Sequence, residues 1–196
     1  MNALSVYGTR YGATKGTADE IAKTLQEENV NATTVNAKEE KTQDISQYDL
    51  IVVGSGMAMG NWVSEAEDFL KQHQKDFENK KLALFLSSLK PVEEKEGKTA
   101  RVARTRKIGL DDKILKYNLK PISVGFFGGV LDYNKMSFLT RKAMEVGYKS
   151  QIQKNAFKET APGVYDLRNW DEIRSWAKEL AQKAKEWDDK LEAKGF

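Results

Sequence analysis

Residues 3–17 constrain the fold more than any other part of the chain, because they predict a strand, a turn and a helix in immediate succession. The first five of these residues are mostly apolar, and the turn that follows is rich in Gly and Thr. A helical pattern begins at Thr14 and places Ile21 and Leu25 on one face. Backbone N–H groups at a helix N-terminus attract anions, and the helix dipole adds to that attraction. The turn therefore predicts a phosphate-binding loop.

Two familiar phosphate loops do not match this turn. A Walker A loop needs Lys directly before its Ser or Thr, and residues 8–14, GTRYGAT, have none there. The turn also lacks the Gly-x-Gly-x-x-Gly fingerprint of dinucleotide-binding folds. Thr9 and Thr14 offer hydroxyl donors, and Gly12 permits close approach to the backbone. The alternative without a ligand is a helix capped by Thr14, which needs only one of these hydroxyls.

Residue types that are absent exclude several kinds of site. The 196-residue chain contains no Cys, which rules out disulfides, a catalytic thiol, iron–sulfur clusters and thiolate zinc sites. His73 is the only His, and its polar neighbours predict an exposed side chain. We therefore expect no metal site and no catalytic side chain of the Ser-His-Asp kind. The chain has no apolar run of about 20 residues and no signal-peptide pattern, which favours a cytoplasmic protein without a membrane span.

Basic residues are concentrated in two segments of a chain whose net charge is only +3. Residues 90–120 contain 10 basic and 5 acidic side chains, and residues 135–158 contain 6 basic and 1 acidic, so each segment has a net charge of +5. Such segments predict either an anionic partner, including a membrane surface, or a solvated helix face. Nucleic-acid binding is not expected, since no recognised module for it is present.

Apolar runs and helical patterns alternate along the chain. Strands are predicted at residues 3–7, 31–36, 50–55, 82–87 and 122–127, and helices at residues 14–28, 62–77, 98–117, 137–152 and 170–193. Two nearly continuous apolar runs, 50–54 and 82–86, are typical of parallel strands buried on both faces. The alternation predicts an α/β fold with a doubly wound, five-stranded parallel sheet and helices on both faces. We expect one domain over residues 1–196, with enlarged connections at about 91–120 and 135–163.

The loops at the carboxyl edge of this sheet have the composition of a site for a flat ligand. Residues 54–62 contain three Gly together with Met59 and Trp62, which offer polarizable and aromatic surface. Two Ser follow the fourth strand at 87–88, and two Gly follow Phe127. Ligands of open α/β sheets bind beyond the carboxyl ends of the strands. Together the loops predict a flat, phosphate-bearing ligand, although each alone is compatible with a tight turn.

Three segments resemble the flavodoxin superfamily, namely the turn 9–14, the loop 54–62 and the sequence FGGVLD at 127–132. The branch that they resemble most includes menaquinone-dependent protoporphyrinogen oxidase, in which a similar motif precedes a basic helical insertion. Residues 164–170 resemble that group's entry into the last helix. The resemblance implies FMN as cofactor and a flavodoxin-like domain with strand order 2-1-3-4-5, the order for which flavodoxin is the standard example.

The resemblance also implies which residues hold FMN. The phosphate would lie on the first loop, and the isoalloxazine between the loops that follow the third, fourth and fifth strands. The implied residues are Thr9, Arg10, Tyr11, Gly12, Ala13 and Thr14 at the phosphate; Met57, Ala58, Met59, Gly60, Asn61, Trp62, Ser87, Ser88 and Leu89 beside the ring; and Phe127, Gly128 and Gly129 on its far side. Ala58 and Met59 stand where the family often has a stacking aromatic residue, so Trp62 or the Met59 thioether is expected to replace it.

Three functions fit these features. The first is an FMN-dependent electron carrier between redox partner proteins, and its basic segments would suit acidic partners. The second is an FMN oxidoreductase of the protoporphyrinogen oxidase or quinone reductase type, with residues 135–160 as a lid or dock. The third is a flavin-free interaction module. The phosphate loop argues against the third, whereas Ala58 and Met59 favour it. The polar insertion 136–161 argues against deep membrane or quinone contact, and peripheral membrane contact stays open.

Overall fold

The computed structural model describes residues 1–39, 44–58 and 60–192. Its parallel strands are β1 (Asn2–Gly8), β2 (Asn31–Asn36), β3 (Leu50–Ala58), β5 (Lys81–Ser88) and β6 (Ser123–Gly128). A two-residue strand, β4 (Asn61–Trp62), pairs antiparallel with β3. The sheet order is β2-β1-β3-β5-β6. The predicted order of the five parallel strands is confirmed, whereas the predicted loop after residue 55 is largely a hairpin formed by β3 and β4.

Helices cover both faces of the sheet, as predicted. One face carries α1 (Ala13–Glu27) and α8 (Trp170–Glu192). The other carries α2 (Ser64–Gln72) and a helical stretch over residues 99–116. That stretch consists of α4 (Thr99–Arg106), a π-helical turn (Lys107–Asp111) and α5 (Asp112–Lys116), and it follows the short α3 (Lys90–Lys95). The predicted helix 62–77 is shorter than expected, because α2 ends at Gln72 and a 3-10 turn (Asp76–Asn79) follows.

Alternation along β3 explains the two layers of the core. Leu50 and Val52 pack with α1 and α8, whereas Ile51 and Val53 pack with α2. All four side chains have no exposed surface. Fully burying one such side chain contributes about 1.5–3 kcal/mol. A strand that is buried on both faces needs apolar residues at every position, and this requirement accounts for the continuous apolar run.

A second, antiparallel sheet was not predicted. It contains β7 (Val130–Asp132), β8 (Glu159–Ala161) and β9 (Val164–Asp166) in the order β7-β9-β8. Between β7 and β8 lies an insertion helix, which we define as α6 (Phe138–Met144), a π-helical turn (Glu145–Lys149) and α7 (Ser150–Lys154). A third apolar cluster joins these parts, with Val92, Leu131, Tyr133, Tyr148, Ile152, Tyr165 and Leu167 at its centre. Strands of three residues are too short for their alternation to be recognised in sequence.

Two side chains differ from the sequence-based expectation. His73 was predicted to be exposed, and that prediction is wrong, because the side chain follows directly on the end of α2 and packs inward. Its ring lies 4.6 Å from that of Phe69, its Nδ1 lies 2.8 Å from the Asp76 carboxylate, and only 7% of the residue is exposed. On α8, the spacing of Ile173, Ala177, Leu180, Ala184 and Trp187 predicts one core-facing stripe, but Trp187 is 39% exposed, one turn beyond the buried Ala184.

A half-buried carboxylate fastens α2 to the end of α5. Glu67 of α2 accepts hydrogen bonds from Lys113 Nζ at 2.6 Å, Lys116 Nζ at 2.8 Å and the Tyr117 hydroxyl at 2.7 Å. Burial alone would raise the pKa of Glu67, but these three donors outweigh it and lower that pKa to about 2. The ionised form therefore stabilises the fold.

We predict that Glu67→Gln lowers the free energy of unfolding at pH 7 by about 2 kcal/mol, since hydrogen bonds to a charged group contribute more than neutral ones. In the unsubstituted protein the stabilisation is complete above pH 4.5 and is lost as the pH falls from 4.5 towards 2. Urea unfolding at several pH values measures both effects. Equal acid sensitivity of the two proteins over that interval would show that Glu67 contributes nothing.

Candidate functional site

The junction between β1 and α1 leaves several hydrogen-bond donors without an intrahelical acceptor. Gly12 precedes the helix with φ of 90°, a left-handed conformation that glycine adopts at little cost. Its N–H donates to Thr9 Oγ1 at 2.9 Å, which closes the turn. The first N–H groups of α1 face out from the carboxyl edge of the sheet. Thr14 makes no capping hydrogen bond, and it is the second residue of the helix rather than its cap.

The Thr14 hydroxyl is the best-placed polar group for a ligand at this junction. The residue is only 2% exposed, and its Oγ1 has no hydrogen-bond partner among the residues that the structure describes. A Cβ at position 56 would lie 3.0 Å from that oxygen, so Gly56 of β3 and Thr14 face one another. The start of α1 and the end of β3, which belong to two segments of the predicted site, therefore meet here.

Ser87 supplies a second unsatisfied hydroxyl at the same edge. Its Oγ is buried at the end of β5 without a hydrogen-bond partner in the described part of the chain. Its Cβ lies 3.7 Å from where a Cβ on Gly129 would stand. The neighbouring Ser88 Oγ is used locally, since it accepts from the N–H of Lys90 at 3.0 Å. A buried hydroxyl without a partner is costly, so the Ser87 oxygen fits a site that a polar ligand completes.

Two cations that the sequence did not single out lie at the first loop. Lys135 Nζ donates to the Tyr11 carbonyl at 3.0 Å and lies 3.7 Å from where a Cβ on Gly12 would stand. Arg168 is held by Asp166 through hydrogen bonds of 2.8 Å and 2.6 Å, and its guanidinium reaches the Ala13 carbonyl at 3.4 Å. Only the folded chain reveals them, because both come from positions more than 120 residues later in sequence.

Several predicted site residues pack in the protein interior instead of lining the edge. The Trp62 ring, expected to offer stacking surface, is 4% exposed and its Nε1 donates to the Gly109 carbonyl. Gly109 belongs to the π-helical turn of the 91–120 connection, which covers the ring from outside. The Phe127 ring is buried beside Phe85, with the ring of Trp176 edge-on at 5.5 Å. Neither aromatic ring is free to face a ligand in this conformation.

Two glycines of the predicted loops are required by packing, because neighbouring groups leave no room for a side chain. A Cβ on Gly128 would stand 2.1 Å from the Leu167 carbonyl oxygen, and a Cβ on Gly54 would overlap the Phe85 ring. Gly129 also serves the fold, since its N–H donates to Ser88 and its carbonyl accepts from Leu167.

The remaining predicted residues lie at or near the edge. Arg10 is exposed, with its guanidinium 5.4 Å from the centre of the half-buried Tyr11 ring. Gly60 and Asn61 are exposed at the β3–β4 turn, and Met57 and Leu89 are half-buried. Met59 and the side chain of Ala58 lie outside the described residues, so the predicted thioether contact stays a prediction.

Ion pairs form in both basic segments. Six of the ten cations in residues 90–120 form ion pairs, and they are Lys90, Arg101, Arg106, Lys107, Lys113 and Lys116. In residues 135–158 four of the six cations form ion pairs: Lys135 with Asp132, Arg141 and Lys142 with Glu145, and Lys154 with Glu96. Across the described residues no group of three or more His, Asp or Glu side chains could hold a metal ion. Nor does any helix there have the length and apolar character needed to cross a bilayer.

Comparison with known families identifies the family of this chain. A family model described as the flavodoxin domain matches residues 4–157, and the chain belongs to that family. Flavodoxin-domain proteins bind a flavin, so the carboxyl edge of this sheet is the expected flavin site.

Known relatives cover almost the whole chain at low identity. Protoporphyrinogen IX dehydrogenase [quinone] of Escherichia coli strain K12 is 23% identical over 184 residues, which are 92% of this chain and 95% of the relative. A short-chain flavodoxin associated with a non-canonical PDU bacterial microcompartment superposes with a TM-score of 0.53 at 16% identity, over 95% of this chain and 97% of that one. A flavodoxin from the domain Archaea gives a TM-score of 0.55 at 16% identity, over 94% and 99%. These structures support the fold alone.

We predict that Gly128→Ala destabilises the protein by about 2 kcal/mol, because the added methyl group would collide with the Leu167 backbone that attaches the second sheet. Gly147→Ala is the matched control. It lies in the insertion helix with nothing within 4 Å of an added Cβ, and alanine there should raise stability by about 0.5–1 kcal/mol. Thermal unfolding of both variants tests this difference, and an unperturbed Gly128→Ala protein would contradict the assignment of Gly128 to packing.

Proposed function

We propose that the protein binds FMN at the carboxyl edge of the parallel sheet and transfers electrons between redox partner proteins. The observation that carries this proposal is the position of the Thr14 hydroxyl, which faces Gly56 of β3 beside the free N–H groups of α1 in a flavodoxin-family sheet. FMN, when bound, supplies the redox chemistry, and the protein binds and orients it.

The chain's own groups divide into a phosphate end and a ring end. At the phosphate end, the Thr14 hydroxyl and the first N–H groups of α1 would donate hydrogen bonds to phosphate oxygens. Lys135 Nζ, held between the Tyr11 carbonyl at 3.0 Å and the Asp132 carboxylate at 3.6 Å, would add a charge-assisted hydrogen bond. At the ring end, the Ser87 hydroxyl would find the partner that it lacks within the described chain.

The competing function is an FMN-dependent oxidoreductase acting on a planar substrate or a quinone. It is supported by the similarity to Escherichia coli protoporphyrinogen IX dehydrogenase [quinone], which extends over 92% of this chain and 95% of that relative. In either case exposed cations would accelerate encounter with an acidic partner more than they would tighten its binding. Reduction behaviour distinguishes the two functions.

We expect the purified protein, alone or after addition of FMN, to have the absorption spectrum of a bound oxidised flavin. Stepwise anaerobic reduction should proceed in two separate one-electron stages if the protein is a carrier. A single two-electron stage, together with turnover of protoporphyrinogen or a quinone, would favour the oxidoreductase. Failure to bind FMN at all would contradict both and leave a flavin-free interaction module.

We predict that Thr14→Val weakens FMN binding about 10-fold or more, because a hydrogen bond to a charged phosphate is lost. Riboflavin, which has no phosphate, should bind both proteins equally, and fluorescence titration measures both affinities. Thr17→Val is the matched control, since the Thr17 hydroxyl is buried on the same helix without a partner in the described chain. Equal losses for FMN and riboflavin would mean that Thr14 acts on the fold or on the ring.

The same titration tests Lys135. Lys135→Met should weaken FMN binding about 3- to 5-fold at low ionic strength, and added salt should remove the difference, because this side chain is 58% exposed. Lys15→Met serves as the control. It removes an exposed lysine of α1 that is paired with Asp19. A Lys135 effect that is independent of salt would contradict an electrostatic contribution.

A further inference from the structure

The insertion helix is apolar on two opposite faces. Its inner face is fixed by Met144, Tyr148 and Ile152, which pack in the third apolar cluster. The Tyr148 hydroxyl donates to Glu93 of α3 at 3.1 Å, and Lys98 donates to Gln151 at 3.0 Å. These contacts hold the helix in one orientation on the protein, so its outer face is also fixed.

The outer face exposes large apolar side chains to solvent. Of the five large hydrophobic residues that are exposed in the described chain, three are on this helix: Phe138 at 72%, Leu139 at 79% and Val146 at 86%. Leu139, Lys142, Val146 and Lys149 follow one another at intervals of three and four residues, which places them on one side of a helix. Nothing in the described part of the chain covers that side.

Basic residues are interleaved with these apolar side chains. Lys142, Lys149, Lys154 and Lys158 are all exposed. Lys149 and Lys158 have no carboxylate within 4 Å among the described residues, whereas Lys154 lies 3.7 Å from Glu96. The one carboxylate of the segment, Glu145, is only 19% exposed and is held by Arg141. The outer face therefore presents apolar groups and positive charge together.

We propose that this outer face docks the protein on an anionic lipid surface. A helix with Phe and Leu at the boundary and Lys around them binds the interface between headgroups and acyl chains, because lysine stems can lie along apolar surface while their ammonium groups reach the phosphates. An acidic protein is the less suitable occupant, since the cores of protein interfaces are depleted in lysine, and Lys142 and Lys149 lie among the exposed apolar side chains of this face. The proposal does not rest on flavin binding, since every residue in it lies outside the proposed FMN site.

Flotation of the full-length protein with lipid vesicles tests the proposal, both as purified and after addition of FMN. We expect binding to phosphatidylcholine vesicles that contain 30% phosphatidylglycerol, at roughly physiological salt, and little binding to phosphatidylcholine alone. Lys142→Gln with Lys149→Gln should weaken binding about 25-fold, at about fivefold for each charge. Leu139→Gln with Val146→Gln should weaken it at least 10-fold, because apolar insertion is lost.

Matched controls separate this face from general attraction of a basic protein. Lys178→Gln with Lys183→Gln removes the same charge from exposed positions on α8, and Leu115→Gln removes a 78% exposed leucine from α5. Both should leave vesicle binding unchanged. Absence of binding to the anionic vesicles would overturn the proposal, as would equal losses in the control and test variants. Capture by immobilised polyglutamate without vesicle binding would assign the face to an acidic protein instead.

Discussion

The parallel pairing of β1 with β2 on one side and with β3 on the other is the constraint on which the rest of the structure depends. Ala3 lies opposite Ala32 in one neighbour and Leu50 in the other. Parallel neighbours require each connection to cross back over the sheet, so all carboxyl ends collect at one edge. Thr14 and Ser87, 73 positions apart in the numbering, come to the same edge for this reason rather than because of their local sequence.

The extent to which the fold could be predicted depends on the length of each pattern. β3 and β5 were identified because nearly every residue of a run is apolar, and α1 because Ile21 and Leu25 recur at a helical interval. The three-residue strands β7, β8 and β9 were missed, since so short a segment has no measurable period. The exposure of His73 was predicted wrongly for a related reason, because its neighbours in sequence are polar. Its contacts in the fold are with Phe69 near the end of α2 and with Phe77 in the following 3-10 turn.

The candidate site was predicted better by its position than by its residue types. The glycine-rich loops were interpreted as leaving room for a flat ring. A glycine shows only that no side chain fits there, and it does not say what occupies the space. At Gly54 and Gly128 the space is filled by Phe85 and Leu167. The Trp62 ring was similarly expected at the edge, and the π-helical turn that covers it has no recognisable signal in sequence. Unsatisfied hydroxyls are stronger evidence for a ligand, because burying one without a partner costs free energy that the folded chain does not recover.

Net charge alone could not distinguish the two basic segments, since each has a value of +5. Ion pairing does not distinguish them either, because distant carboxylates reach both: Glu67 pairs with Lys113 and Lys116 of the first segment, and Glu96 pairs with Lys154 of the second. Their difference is that the second segment exposes Leu139 and Val146 beside its lysines. The second segment also begins at Lys135, which contacts the Tyr11 carbonyl of the first loop, and it continues directly into the exposed helix. One short stretch of chain thus connects the proposed phosphate site to the proposed lipid-docking face. A protein docked through that face would therefore hold the proposed flavin edge close to the membrane, where apolar electron acceptors dissolve.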